Sequence, residues 1–348
     1  MRSFFSFLFL FILLASLAVT VWFSSYVLIP FMPSSGGEER MIQIPRGAGV
    51  RQIQKLLAEK RVIADDIRFL VLTRLFHLID HPPRLRAGEF KVPLGLTPLE
   101  VIRFLDTAQP VRYQLTIPEG KNMREIAALF AKDNWVDPKI FLQLCRDRTL
   151  LKELGLFQAN SLEGYLFPET YTLVRSEVDE RKIIKMMVQH FNVVWDEVTA
   201  TSKGIQRTAR VERKYNRHQL LTLASIVEKE TGAAKERDII AGVFYNRLRK
   251  GMRLQSDPTT IYGIKDFNGN LTKADLQQKT AYNTYVISGL PLGPICNPGA
   301  AAIKAVLQPA NVPYLYFVSR NDGSHEFSKT LKEHNRAVYK FQKLRRNR

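Results

Sequence analysis

The sequence predicts an α+β protein carried on one N-terminal membrane-spanning helix, and three observations predict it. From Phe4 to Ile29 no residue is charged, and Phe, Leu, Ile, Val and Ala dominate. Beyond that run, short alternating apolar stretches closed by Pro or Gly are followed by segments with apolar residues at helical spacing. The 348 residues are 45% hydrophobic and 24% charged, the balance of a globular chain long enough for two or three domains.

The N-terminal run exceeds the about 20 apolar residues that span a bilayer core. A cleaved signal peptide has a shorter apolar region that ends at a small-residue site. Ala15-Ser16-Leu17-Ala18 offers small residues, but Val19-Thr20-Val21-Trp22-Phe23 carries the apolar run past them, so an uncleaved anchor is expected. Trp22 and Tyr26 suit an interfacial belt. Arg2 against Glu38, Glu39 and Arg40 gives a short cytoplasmic end within residues 1–30 and the bulk of the chain outside the cytoplasm. Pro30 to Gly37 reads as a linker, within a boundary segment 31–40.

An internal echo follows. Ile42-Gln43-Ile44-Pro45-Arg46-Gly47, then Arg51, Ile53 and Leu57, matches Leu115-Thr116-Ile117-Pro118-Glu119-Gly120, then Arg124, Ile126 and Phe130. Each copy reads as a strand, a turn and an amphipathic helix. Between them, Ile53 to Leu78 has helical periodicity, Gly88 to Val92 reads as a strand, and Thr97-Pro98-Leu99-Glu100 as a helix start with Pro at its first position. Residues 41–113 thus form a strand–helix–helix–strand unit that resembles the LysM-type modules that bind glycan. An α+β spacer with no ligand fits the same pattern. A second α+β, mostly helical region is expected over 114–202, interrupted by the aromatic-rich segment Leu162 to Tyr171. Aromatic planes of that kind serve either a core or a sugar-binding cleft.

The formal charge of +18 suits nucleic acid, anionic lipid or an anionic polymer, and does not choose among them. Placement outside the cytoplasm counts against nucleic acid. Six basic side chains, Lys203, Arg207, Arg210, Arg213, Lys214 and Arg217, open the last region, 203–348, as a solvated linker or a surface for anionic lipid or polymer. Cys145 and Cys296 make no metal-ligand pattern or disulfide framework and read as small apolar fillers.

His218 to Thr231 reads as a helix with Leu220, Leu221, Leu223, Ala224 and Val227 on its apolar face and Thr231-Gly232 at its end. At about 100° per residue, Glu228 and Glu230 fall on the two margins of that face, with Lys229 pointing away. Either Glu could be half-buried. A carboxyl group near a helix C-terminus meets the negative end of the macrodipole, which raises its pKa. A raised pKa is what protonation of a glycosidic oxygen requires. Two solvated surface glutamates are the alternative, and the wheel alone leaves both readings open.

The flanking motifs decide more. Ala224-Ser225-Ile226-Val227-Glu228-Lys229-Glu230-Thr231 is followed by Glu236-Arg237-Asp238 and Val243-Phe244-Tyr245-Asn246-Arg247-Leu248. Then come Gly251-Met252-Arg253-Leu254-Gln255-Ser256-Asp257-Pro258-Thr259, Tyr262-Gly263, Ala281-Tyr282-Asn283-Thr284-Tyr285 and Gly289-Leu290-Pro291-Leu292-Gly293-Pro294-Ile295. Pro313 to Val318, Gly323-Ser324-His325-Glu326-Phe327 and His334-Asn335 close the series. In this order the motifs closely resemble the endolytic murein transglycosylase, or YceG-like, family over nearly the whole chain. Cys296-Asn297-Pro298 departs from the small or hydroxyl residues expected in that loop.

The resemblance implies lytic cleavage, without water, of the bond between N-acetylmuramic acid and N-acetylglucosamine, leaving a 1,6-anhydro end. It makes Glu230 the catalytic acid and base. It nominates Gln255, Asp257, Tyr262, Asn283 and Tyr285, with Glu163 and Tyr165 of the Glu163-Gly164-Tyr165 segment, to bind substrate. No metal or other cofactor is implied, and the six histidines show no ligand spacing. Peptidoglycan strands, the inner membrane and peptidoglycan synthases are the implied partners, with the catalytic part in the periplasm on a single-pass anchor. Two rivals remain: a non-enzymatic wall-binding scaffold, and a two-carboxylate hydrolase with Asp257 or Glu228 as its second acid.

Overall fold

The computed structural model describes residues 2–343 apart from 34–36, 80, 82, 203–210 and 212–213. Four of the basic residues singled out above, Lys203, Arg207, Arg210 and Arg213, lie outside the described residues, as does the centre of the expected linker. The chain divides into two compact units, one of residues 1–114 and 172–178, the other of residues 115–171 and 179–348.

In the first unit the apolar run forms α1 (Arg2–Val27). Among the described residues its Phe4–Val27 segment is the one helix long and apolar enough to cross a membrane. β1 (Glu39–Ile44) leads into α2 (Val50–Glu59), α3 (Arg68–Ile79), β2 (Gly88–Pro93) and α4 (Pro98–Thr107). β1 and β2 pair antiparallel with Ile42 opposite Phe90. The buried sides of Ile42, Ile44, Phe90 and Val92 meet Ile53 and Leu57 of α2, Phe69 and Leu72 of α3, and Val101, Ile102 and Leu105 of α4. α4 starts as its sequence requires. The Thr97 hydroxyl accepts the Glu100 N–H, the Glu100 carboxylate accepts the Thr97 N–H, and Pro98 occupies the first turn, where no N–H is needed. Tyr26 and Val27 of α1 are buried in this same core, so the end of the long helix belongs to the unit that follows it.

The chain passes into the second unit within β3 (Tyr113–Thr116) and back within β4 (Thr170–Leu173), and the second unit holds α5 (Met123–Lys132), α6 (Pro138–Leu144), α7 (Arg148–Glu153) and α8 (Glu180–Ser202). The two echoed segments fold alike. In each a strand leads to a glycine with positive φ, Gly47 at 74° and Gly120 at 75°, and then to a helix. α9 (Arg217–Glu230), α10 (Arg237–Arg249), α11 (Asp257–Gly263), α12 (Lys273–Gln277) and α13 (Ala300–Leu307) follow, then the hairpin of β5 (Tyr316–Ser319) and β6 (His325–Ser328), and α14 (Leu331–Val338).

α9 is more deeply placed than one apolar face suggests. Every residue from Leu220 to Val227 is buried. Its polar members are satisfied locally: Thr222 donates its hydroxyl to the His218 carbonyl at 2.8 Å, and Ser225 to the Thr222 carbonyl at 2.7 Å. Hydroxyls that bond back to their own helix can be buried on any side of it. The helix begins with Asn216 and Gln219 capping each other's N–H groups. It ends not on a left-handed glycine but on extended Thr231, at φ −99°. Arg217 departs from the expected surface cation. Its guanidinium lies over the rings of Phe191 and Trp195 and donates to Asn192 at 2.6 Å. Cys145 and Cys296 are both buried and free.

Candidate active site

Glu230 ends α9 beside a cavity of about 420 Å³ that is also lined by Gln255, Asp257, Tyr285, Tyr316 and His325. The residue is half-buried while its carboxyl group is enclosed by protein. The Ser256 hydroxyl donates to Glu230 Oε1 at 2.5 Å. Burial pushes the carboxyl pKa up to about 7, and the Asp257 charge adds to the rise. The Ser256 hydrogen bond, His325 and Arg247 act the other way without cancelling it. Burial is therefore the first cause of the raised pKa expected from the helix terminus.

Ser256 is held from behind. Its N–H donates to the Thr284 hydroxyl at 3.0 Å, and the Gln255 N–H to the Thr284 carbonyl at 3.2 Å. Asn283 ties these strands of loop together. Its side-chain oxygen accepts from the Thr260 hydroxyl and the Tyr285 N–H, and its amide nitrogen donates to the carbonyls of Asp275, Leu276 and Gln278. Tyr285 then reaches Asp257, its hydroxyl donating to Oδ1 at 2.6 Å. Gln255 stands at φ 49°, a left-handed backbone that a residue with Cβ rarely adopts.

Glu228 turns the other way. It accepts the N–H of Gly299, which caps α13, at 3.2 Å, and lies 3.5 Å from Arg237. A Cβ at residue 299 would meet the Glu119 carboxyl, which would have to swing aside to admit it. The two margins of the wheel thus become two separate environments.

The nominated residues divide in the same manner. Gln255, Asp257 and Tyr285 line the cavity with Glu230. Asn283 is fully buried beneath it, with its polar atoms engaged as above, and supports the loop in place of reaching the cavity. Glu163, Tyr165 and Tyr262 are not among the residues lining it. Glu163 is buried. It accepts from the Met123 N–H at 3.0 Å, the Tyr262 hydroxyl at 2.8 Å and the Asn297 amide at 3.1 Å. Tyr165 packs edge-on against Phe191, with its hydroxyl 2.9 Å from His218 Nδ1. The aromatic segment around it is core: Leu162, Leu166, Phe167 and Tyr171 are buried as well. Gly164, at φ 88°, stands where a Cβ would come within 2.7 Å of Pro294.

Four groups were not nominated. Ser256, which bonds Glu230 directly, is the first. Arg247 is buried, donates to the Leu315 and Leu254 carbonyls at 2.7 and 2.5 Å, and joins the cavity's two walls. His325 is clamped by Glu236, which accepts both its ring N–H at 2.7 Å and its backbone N–H at 3.1 Å. His334 stacks on Tyr316 at 5.3 Å. Both histidines stand in quoted motifs, but only the fold brings them to Glu230.

The model of the YceG-like family matches residues 42–340. The chain belongs to this family. The YceG-like chain is 33% identical to the endolytic murein transglycosylase of Bacillus subtilis (strain 168) over 317 residues, 86% of this chain and 84% of the relative. It is 27% identical to the protein of that name from Streptococcus pneumoniae serotype 2 (strain D39), covering 90% of this chain but 60% of the relative's length. A crystal structure of a yceG-like protein from Listeria monocytogenes superimposes with a TM-score of 0.57 at 30% identity, over 86% of this chain and 98% of that one. The YceG-like fold is thus shared with a solved relative.

Proposed function

We propose that this protein is an endolytic murein transglycosylase, with Glu230 as its acid and base. One observation carries the reading. In a family whose curated relatives bear that name, an enclosed carboxyl group with a pKa of about 7 faces a cavity lined by Gln255, Asp257 and Tyr285. Protonated Glu230 gives its proton to the glycosidic oxygen between N-acetylmuramic acid and N-acetylglucosamine, and the bond from that oxygen to the anomeric carbon breaks. The muramic acid 6-hydroxyl attacks the same carbon, and the Glu230 carboxylate takes its proton. The product is a 1,6-anhydro end, and Glu230 is ready again.

A pKa near 7 lets one group serve both steps, since neither the acid nor the base form is scarce at neutral pH. Gln255, Asp257 and Tyr285 orient the sugars by hydrogen bonding and ring contact. Glu163, Tyr165, Tyr262 and Asn283 act behind them by holding the loops. α1 anchors the enzyme in the inner membrane by a single pass, with residues 203–348 carrying the chemistry in the periplasm. The 41–113 unit is a LysM-like module that holds the glycan strand, and synthases that make the strand are the fitting protein partners.

A second reading has one observation in its favour: Asp257 lines the same cavity and would be the second carboxylate of a hydrolase. Mass spectrometry of digested peptidoglycan separates the two. Anhydro ends are expected, and reducing ends would make the enzyme a hydrolase. The Ser256 hydroxyl holds Glu230 toward its ionised form, so Ser256→Ala should move the alkaline limb of the rate profile to higher pH. An unmoved limb would remove Ser256 from the site.

A further inference from the structure

α3 is apolar on two opposite sides. Phe69, Leu72 and Phe76 turn into the core of the first unit. On the other side Val71, Leu75 and Leu78 are exposed by 43, 38 and 77%, and Ile67, in the turn just before the helix, by 68%. At about 100° per residue the three helical residues fall within about 60° of one another and form a stripe along the helix, which Ile67 extends. A helix that faced water there would carry polar residues instead, and a contiguous exposed apolar stripe marks an interaction surface.

What the stripe meets is set by α1. Arg68, at the start of α3, donates to the Trp22 carbonyl at 2.6 Å, and its guanidinium lies 4.9 and 4.8 Å from the ring centres of Trp22 and Tyr26. The Tyr26 hydroxyl donates to the Ala64 carbonyl at 3.2 Å. With Tyr26 and Val27 in the core that also holds Phe69 and Leu72, α3 is fixed to the end of α1 by packing. The 24 residues of Phe4–Val27 rise about 36 Å at about 1.5 Å each, longer than a hydrocarbon core of about 30 Å. The last turn of α1 therefore reaches headgroup level, and the stripe on α3 starts beside it.

We propose that the outer face of α3 lies in the lipid interface next to α1, giving the first unit an in-plane contact with the membrane besides its span. The occupant of the stripe is lipid. Arg74 flanks the stripe, and the exposed Arg84 and Arg86 follow it in the chain, the basic accompaniment that anionic headgroups attract. The proposal rests on α1 being a membrane span, and its test reports on that separately.

The full-length protein is placed in vesicles of phosphatidylethanolamine and phosphatidylglycerol, with a fluorescent label at Leu75→Cys, Leu78→Cys, Val21→Cys in α1, or Lys55→Cys on the exposed side of α2. Cys145 and Cys296 are fully buried and stay unlabelled. Nitroxide near the lipid headgroup should quench labels at 75 and 78 several-fold more than the label at 55. Nitroxide deep in the chains should quench the label at 21. If 21 is quenched while 75 and 78 behave like 55, the span stands and the α3 contact is overturned. If 21 also escapes quenching, the span fails and the α3 contact with it. Labels at 78 that are shielded from lipid but self-quench as protein density rises would assign the stripe to a second copy, which overturns the proposal too.

Discussion

Glu230→Gln should keep the fold and lose at least ~10²–10⁴-fold in cleavage, because one group is asked to give and to take the proton. Gln is close to isosteric, and its amide oxygen can still accept from Ser256, so binding of glycan strands should survive. The comparison that gives this result meaning is Glu228→Gln. Glu228 faces Gly299 and Arg237, away from the cavity, so its variant should cut at near the parental rate while unfolding more easily. Cleavage counted by anhydro ends, alongside melting temperature, separates the two. Normal cleavage by the Glu230 variant with a folded but inactive Glu228 variant would move the assignment by two residues. The pH dependence has a definite sign. With a pKa of about 7, Glu230 is the proton donor below that value, and the rate should fall as pH rises above it.

Glu163→Ala should be the most destabilising substitution among the nominated residues. The carboxyl is buried and receives the Met123 N–H, the Tyr262 hydroxyl and the Asn297 amide, so its removal takes an acceptor from three separated parts of the chain. Asn297 keeps a bond to the Lys121 carbonyl, which leaves two donors without a partner. At roughly 1–3 kcal/mol per orphaned buried group, a loss of roughly 3 kcal/mol or more is expected. Urea midpoints of the detergent-solubilised protein, at unchanged slope, measure it. Burial pushes the Glu163 pKa up to about 7, above the roughly 4.3 of an unfolded glutamate. The folded state then holds a proton that the unfolded state releases. This contribution is fully present below the unfolded value and is lost as pH rises toward about 7. The Ala variant should therefore show a flatter stability profile over that window. A midpoint within error of the parent would mean that Glu163 is free to serve substrate, as its motif suggested.

The strands, turns and capped helices of the first unit were legible because their signals are local. Thr97 to Glu100 contains its whole capping box, and Gly47 and Gly120 each mark their own turn. The roles of Glu228 and Glu230 were not, because what distinguishes them is distant. Gly299 and Arg237 claim one, Ser256 the other, and a helical wheel carries no information about such partners. Arg217 was grouped with the surface cations for the same reason. A buried arginine differs from a solvated one only in the rings and carbonyls that the fold brings to it. The aromatic segment at 162–171 suited a core more readily than a cleft, and its buried side chains went to the core. Family likeness nominated Asn283 and Glu163 together with the residues near Glu230, and the hydrogen bonds that these two make to the scaffold depend on partners distant in sequence.

Gln255 holds a backbone geometry that glycine would take without strain. A left-handed residue with a Cβ costs about 1–2 kcal/mol. Glycine at this position would recover part of that energy, less what it loses in unfolded-state freedom, and would leave the cavity wall bare beside Glu230. If Gln255 serves the proposed cleavage, a glycine variant there should gain thermal stability and lose activity, trading one property against the other.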